Sequence, residues 1–236
     1  MENKTILITG ANGGLGTAFV KAVLRQNPKK IYCAARDTSS LEKLKALSSV
    51  IEAVELDITN KASIDSLASK IETLDILVNN AGVNSNNRLF EESFSDIEVN
   101  LKGTVNLTQA LFEKLKASKG KAVNITTVLA LANLPLMANY CISKAALHSF
   151  TQALRAEFAL FEGEVYEVLP GPIETRMTEG FPMPKTKPED IANAVIEAMA
   201  KKEFEIYPDP FSQMIKQRLE NEPEKVIEEF ASSLNG

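Results

Sequence analysis

Apolar runs of about five residues alternate with longer amphipathic segments from one end of this chain to the other. Short apolar runs suit strands and the longer segments suit helices, so the alternation predicts strand and helix units around a parallel sheet. The predicted strands cover 5–9, 30–34, 51–56, 74–79, 121–126, 164–169 and 204–207. The predicted helices cover 14–26, 39–47, 61–71, 93–117, 138–160 and 188–200. Several strand runs, such as Thr5-Ile6-Leu7-Ile8-Thr9, are nearly continuous in branched apolar residues, as expected where helices cover both faces of a sheet. The expected architecture is α/β, a doubly wound parallel sheet of about seven strands flanked by helices, in a single domain over 1–236. Residues 210–236 read as a helical tail broken near Glu222-Pro223.

Composition narrows the function classes. A chain of 236 residues, 44% hydrophobic and 24% charged, can bury a full core. Its net charge of -5 is dispersed, without the basic block that a nucleic-acid partner would require. No apolar stretch matches a signal peptide or a membrane span, so a soluble, cytoplasmic protein is expected. Cys33 and Cys141 lie far apart without metal-ligand spacing and read as free thiols. His148 has no second partner for a metal or a hydrolytic triad, and reads as a packing or surface residue; no metal site is expected.

The chemistry-bearing stretches sit where the predicted strands end. After the first strand comes Thr9-Gly10-Ala11-Asn12-Gly13-Gly14-Leu15-Gly16, opening a helix. Glycines there let the backbone turn tightly and approach a ligand, and the helix N-terminus directs free N–H groups at a pyrophosphate. Gly10, Asn12, Gly14, Leu15 and Gly16 are thus candidate dinucleotide contacts, although the spacing G-x-x-x-G-x-G departs from G-x-G-x-x-G. The second strand ends in Ala35-Arg36-Asp37, and an arginine there favours the 2'-phosphate of NADP over NAD. Asp37 could pair with Arg36 or accept from a ribose. Asp57, with Ile58 and Thr59 after the third strand, could accept from an adenine amino group or cap the next helix. The fourth strand runs into Asn79-Asn80-Ala81-Gly82. Tyr140 and Lys144 stand four apart on one helical face, where an ammonium would favour the phenolate and lower the tyrosine's pKa.

In this order, with Asn100 in the next helix and Pro170-Gly171-Pro172-Ile173-Glu174-Thr175 after the sixth strand, the motifs resemble those of the short-chain dehydrogenase/reductase family of compact, single-domain Rossmann type. The resemblance runs from about 4 to 208. It implies hydride transfer between a nicotinamide cofactor, preferentially NADP because of Arg36, and a carbonyl or secondary alcohol. It implies that Tyr140 exchanges the proton, Lys144 tunes it and binds the nicotinamide ribose, and Asn100 anchors a water linking Lys144 to solvent. Asn80, Ala81 and Gly82 would face the cofactor, and Pro170-Gly171 would turn the chain under the nicotinamide, with the Ile173 N–H and the Thr175 hydroxyl as partners of its carboxamide. One position departs from the family pattern: the usual serine 13 residues before the tyrosine is Thr127, which keeps the hydroxyl for the substrate oxygen but narrows the space around it. The segment 176–187, with Met177, Phe181 and Met183, reads as a substrate loop for a small, apolar substrate. The tail 210–236 replaces the glycine-rich end that many relatives use in tetramers, leaving a homodimer through helices 93–117 and 138–160 as the expectation. A non-catalytic NADP-binding sensor or scaffold is the competing reading, favoured only by Thr127. A nucleotide-sugar epimerase would need a larger domain after the sixth strand.

Overall fold

The computed structural model describes residues 1–91 and 95–235. The strands β1 (Thr5–Thr9), β2 (Lys30–Ala35), β3 (Ile51–Glu55), β4 (Ile76–Asn79), β5 (Lys121–Ile125), β6 (Glu164–Val168) and β7 (Glu205–Ile206) form one parallel sheet. Its order is β3-β2-β1-β4-β5-β6-β7. The chain winds outward from β1 to β3, then returns to lay β4 on the other side of β1. Such a reversal separates the loops at the carboxyl ends of the two strands and opens a crevice for a ligand.

The helices are α1 (Gly14–Leu24), α2 (Glu42–Lys45), α3 (Lys61–Lys70), α4 (Ser95–Ile97), α5 (Thr104–Ala117), α6 (Ala138–Ala159), α7 (Pro188–Lys201), α8 (Pro210–Asn221) and α9 (Pro223–Ala231). Side chains alternate across the sheet, so each face builds its own core. Ile6 and Ile8 join Phe19 and Val23 of α1 and Ile191 and Val195 of α7 on one face. Leu7 joins Leu67 of α3, Leu111 of α5 and Phe158 of α6 on the other. β1 and β4 are buried along their whole length, which is why their sequences show no polar alternation. The edge strand β3 does show it, with Glu52 and Glu55 exposed.

Three elements differ from the sequence expectation. Where 39–47 reads as a helix, a 3-10 turn (Thr38–Leu41) precedes the single turn α2, because the Asp37 carboxylate accepts from the Ser39 N–H and hydroxyl at 2.9 and 2.7 Å and tightens the chain. β7 shrinks to two residues, pairing only with Glu167 and Val168 at the sheet edge. The predicted start at Ser93 lies outside the described residues, but from Ser95 the helix runs to Ala117 through a widened π segment, Glu98–Gly103. Such segments re-aim side chains and recur at functional sites. The tail breaks at Pro223 as read from sequence, and its Ile215, Phe211 and Phe230 pack with Val128 and Leu169.

Phe158 is fully buried, with Phe112 edge-on at 5.9 Å and Phe161 tilted at 4.9 Å between ring centroids. Phe158→Ala should cost about 3–5 kcal/mol in urea unfolding. Leu160→Ala, at an 82% exposed position, should stay within about 0.5 kcal/mol.

Candidate active site

The crevice between β1 and β4 is stitched by side chains of its own loops. The Thr9 hydroxyl donates to the Val78 carbonyl at 3.2 Å and accepts from the N–H groups of Asn80 and Ala81, both at 2.9 Å. The Asn80 amide donates to the carbonyls of Thr9 and Gly10 at 2.8 and 3.2 Å, so this residue secures the glycine loop. Gly10 has φ +61°, a left-handed conformation that glycine adopts without strain. A Cβ on Gly16 would sit 2.1 Å from the Gly10 carbonyl oxygen. Gly13 caps α1 without a side chain and leaves the helix's first N–H groups open.

An open cavity of about 410 Å³ faces those groups, lined by Asn12, Gly13 and Gly14 on one side and Glu174, Lys187 and Pro188 on the other. Thr175, more than 150 positions away in sequence, comes so close to Gly14 that a Cβ there would lie 2.9 Å from its methyl. These observations fit a pyrophosphate: backbone donors at a helix start, no side chain in the way, and a second wall from the turn after β6. Leu15 and Ile58 are core residues, Ile58 packing on Gly103. Arg36 is exposed beyond β2, and its charge reaches Asp57 and helps hold that carboxyl below its ordinary range, after the larger effect of the Thr59 hydroxyl and N–H. Asp57 does not cap α3; Asn60 does, accepting from the Ser63 N–H at 3.2 Å. Asp37, engaged by Ser39, forms no pair with Arg36.

The carboxyl ends of β4, β5 and β6 bring the remaining candidates together. The Lys144 ammonium is buried and donates to the Ile125 carbonyl at 2.7 Å. Burial lowers its pKa to about 8, against the opposing charges of Asp96 and Glu167. It lies 5.9 Å from the centre of the Tyr140 ring, over its face. Thr127, just past β5, donates to the Pro170 carbonyl at 3.2 Å and accepts from the Leu129 N–H at 3.3 Å, and its hydroxyl is the group that pulls the Tyr140 phenol's pKa down. Thr126 points to the opposite side of the strand, donating to Glu167 at 2.9 Å, so the hydroxyl beside the tyrosine belongs to Thr127.

Two sequence expectations change here. Without cofactor the phenol is not lowered in pKa: burial pushes it up, Cys141 and Asp96 add to the effect, and only Thr127 opposes it. The Lys144 ammonium stands over the ring and is engaged by the Ile125 carbonyl. Asn100, carried inward by the π segment, accepts from the Val83 N–H at 2.8 Å and donates to the Val83 carbonyl and the Ser143 hydroxyl at 2.9 and 2.8 Å. Both its amide hydrogens are therefore engaged inside the protein, clamping α6 beside the loop after β4.

Other residues support the site without any sequence motif pointing to them. Ser143 links Asn100 to the Tyr140 carbonyl at 2.7 Å. Asp209 accepts from the Gly171 N–H at 2.9 Å and from Ser212 at 2.8 Å, tying the turn after β6 to the tail; the Asp-Pro pair opening α8 was a readable helix-cap signal. His148 is not a free surface residue: its Nδ1 lies 2.9 Å from both oxygens of the fully buried Glu167. Both cysteines are buried and free, and burial raises Cys33 to about 12 and Cys141 to about 11. Among the described residues there is no metal-binding cluster of acidic, His or Cys side chains, and no helix long and apolar enough to cross a membrane.

A parallel sheet with a glycine-rich crevice and a Tyr, Lys and hydroxyl cluster at its carboxyl edge defines a dinucleotide-dependent oxidoreductase of Rossmann type. The family model for short chain dehydrogenase matches residues 4–185, and the chain belongs to that family. It is 33% identical over 217 residues to the 3-oxoacyl-[acyl-carrier-protein] reductase FabG of Rickettsia felis, covering 83% of this chain and 88% of that one. An uncharacterized oxidoreductase of Staphylococcus epidermidis is 29% identical, with 85% and 93% covered. The crystal structure of a short chain dehydrogenase from Burkholderia cenocepacia in complex with NADP superposes with a TM-score of 0.92 at 32% identity, covering 97% and 98% of the chains. The protein is an oxidoreductase of the CH–OH class that uses a nicotinamide dinucleotide.

Because backbone surrounds Gly16, Gly16→Ala can be accommodated only by opening the loop. It should destabilise the fold by about 1–3 kcal/mol in chemical denaturation, and weaken nucleotide binding at least about tenfold by titration calorimetry.

Proposed function

We propose that this enzyme reduces the carbonyl of a small, apolar ketone or aldehyde with NADPH, and that Tyr140, Lys144, Thr127 and Asn100 form its catalytic group. The observation that carries the reading is the buried Lys144 ammonium, bonded to the Ile125 carbonyl two residues before Thr127, set over the Tyr140 ring and beside Gly82 at the glycine crevice. A bound reduced nicotinamide supplies the hydride that the carbonyl carbon receives. Tyr140 gives its proton to the substrate oxygen, and a phenol whose pKa is raised by burial is held in the protonated form that reduction needs. Thr127 donates to the same oxygen once its hydroxyl turns from the Pro170 carbonyl. Lys144 offsets the charge left on the phenol and offers its remaining donors to the cofactor ribose. Asn100 keeps α6 in register.

For the cofactor, Gly10, Asn12, Gly14, Gly16 and the turn Pro170, Gly171, Ile173, Thr175 are the proposed holders, with Ala81 and Gly82 beneath. Leu15, Ile58 and Asn80 act by packing and support, and Asp57 stands at the adenosine end. The NADP preference rests on Arg36, exposed while Asp37 is turned onto Ser39, so that a cation rather than an acceptor faces the ribose end. NADP in the Burkholderia cenocepacia relative supports it. Segment 176–187 is the proposed substrate loop; Met177 and Met183 expose 41% and 39% of their surface. With Leu136 also exposed, this favours apolar substrates, and the Rickettsia relative's name, a 3-oxoacyl-[acyl-carrier-protein] reductase, supports testing a 3-oxoacyl compound among them. A homodimer through the helices over 95–117 and α6 belongs to the same reading.

A panel of ketones, aldehydes and one 3-oxoacyl thioester, assayed with NADPH and NADH, tests this. Turnover of at least one member with NADPH preferred is expected; tight NADPH binding with no turnover contradicts it. Tyr140→Phe should abolish turnover while NADPH affinity changes by less than about threefold. Arg36→Ala should weaken NADPH by about 10–100-fold and NADH by far less, since a charge-assisted contact is worth about 1.5–3 kcal/mol.

A further inference from the structure

The Tyr140 and Lys144 pair has a neighbour that the proposed chemistry leaves unused. Asp96 lies in α4, which packs directly on α6. It is 1% exposed. One carboxylate oxygen accepts from the Ser85 N–H at 3.3 Å, and the other has no hydrogen-bond partner. The Ser85 hydroxyl and the Asn139 side-chain oxygen nearby in the fold are also unpartnered. An open carboxylate oxygen in an interior costs stability, more than a neutral group does. An apolar side chain would suit the same space without that cost, so packing alone does not account for Asp96.

Its charge does. Asp96 stands four residues before Asn100, whose side-chain oxygen and the Lys144 ammonium lie within 3.1 and 3.5 Å of the same point beside Gly82. The other titratable groups of the elements around Lys144 are Glu167 on β6 and Tyr140, Cys141 and His148 on its own helix. Glu167 has closer partners, with His148 at 2.9 Å and the Thr126 hydroxyl at 2.9 Å. Asp96 has no salt bridge among the described residues, and of the charges acting on Lys144 its effect is the larger, ahead of Glu167. Asp96 also acts on Tyr140, favouring the protonated phenol. We propose that Asp96 is a positioning residue of the catalytic pair, its buried carboxylate holding the Lys144 ammonium charged inside the protein and the Tyr140 phenol protonated. The inference rests on the role given to Lys144 above.

The direction follows from the environment of Lys144. Burial favours the neutral amine and Asp96 opposes it. Neutralising Asp96 leaves burial less opposed, so Lys144 loses its proton at lower pH. Below the variant's midpoint both proteins carry the ammonium; above it the variant loses it first. Carbon-13 NMR of protein labelled at lysine Cε reads this directly, with Lys144→Met assigning the resonance. Asp96→Asn should lower the Lys144 midpoint by on the order of one pH unit, with the alkaline limb of kcat moving alongside it. Asp96→Ser, neutral and smaller, should give the same shift, whereas Asp96→Glu should restore most of it. If the neutral variants change only the melting temperature and leave the midpoint in place, Asp96 is structural and the proposal falls. The titration needs no turnover, so a shifted midpoint in an enzyme that reduces no carbonyl upholds Asp96 and refutes the functional reading instead.

Discussion

An ammonium cannot leave water without a partner, and in this protein the partner of Lys144 is the Ile125 carbonyl, 2.7 Å away at the end of β5. That bond joins α6 to the carboxyl edge of the sheet. Much of the site follows from it. The helix is held so that the Tyr140 ring lies under the Lys144 ammonium, Ser143 meets the clamped amide of Asn100, and the widened turn around Asn100 has a fixed surface to close on. Burial favours the neutral amine, and the charges of Asp96 and Glu167 oppose it.

The second constraint lies at the sheet's switch point. Thr9 and Asn80 exchange hydrogen bonds between the loops leaving β1 and β4, and this keeps the glycine backbone open without a side chain entering it. Deeper in the sheet the Asn79 amide donates to Thr108 and Asn124 at 3.1 and 2.8 Å, and Asn124 continues to Thr151 at 2.8 Å. A polar ladder of this kind is stabilising because every member is satisfied. It connects α5, β4, β5 and α6, so the nucleotide crevice and the catalytic cluster belong to one rigid edge.

Much of this was legible in the sequence. Strand and helix periodicity follow from which faces are covered, and the glycine loop, Tyr140 and Lys144, and the turn at Pro170-Gly171 are local patterns with local causes. What stayed hidden depends on distant neighbours. The direction of the Tyr140 shift is a matter of burial, which spacing along a helix does not report. Asp37 reads as a ribose or Arg36 partner until the backbone brings Ser39 to it. His148 reads as a lone histidine because Glu167 is a strand residue 19 positions away. Asp96 carries no motif at all; only its burial and its open oxygen distinguish it from a surface acid.

The central claim, that the crevice and the Tyr140 cluster act on one carbonyl carbon, is tested most directly by following an atom. With NADPH deuterated at the transferable position of C4, the account predicts product alcohol carrying deuterium on its carbinol carbon, and no such product from Tyr140→Phe. Alcohol formed without label on that carbon, or labelled alcohol formed at the wild-type rate by Tyr140→Phe, would contradict it.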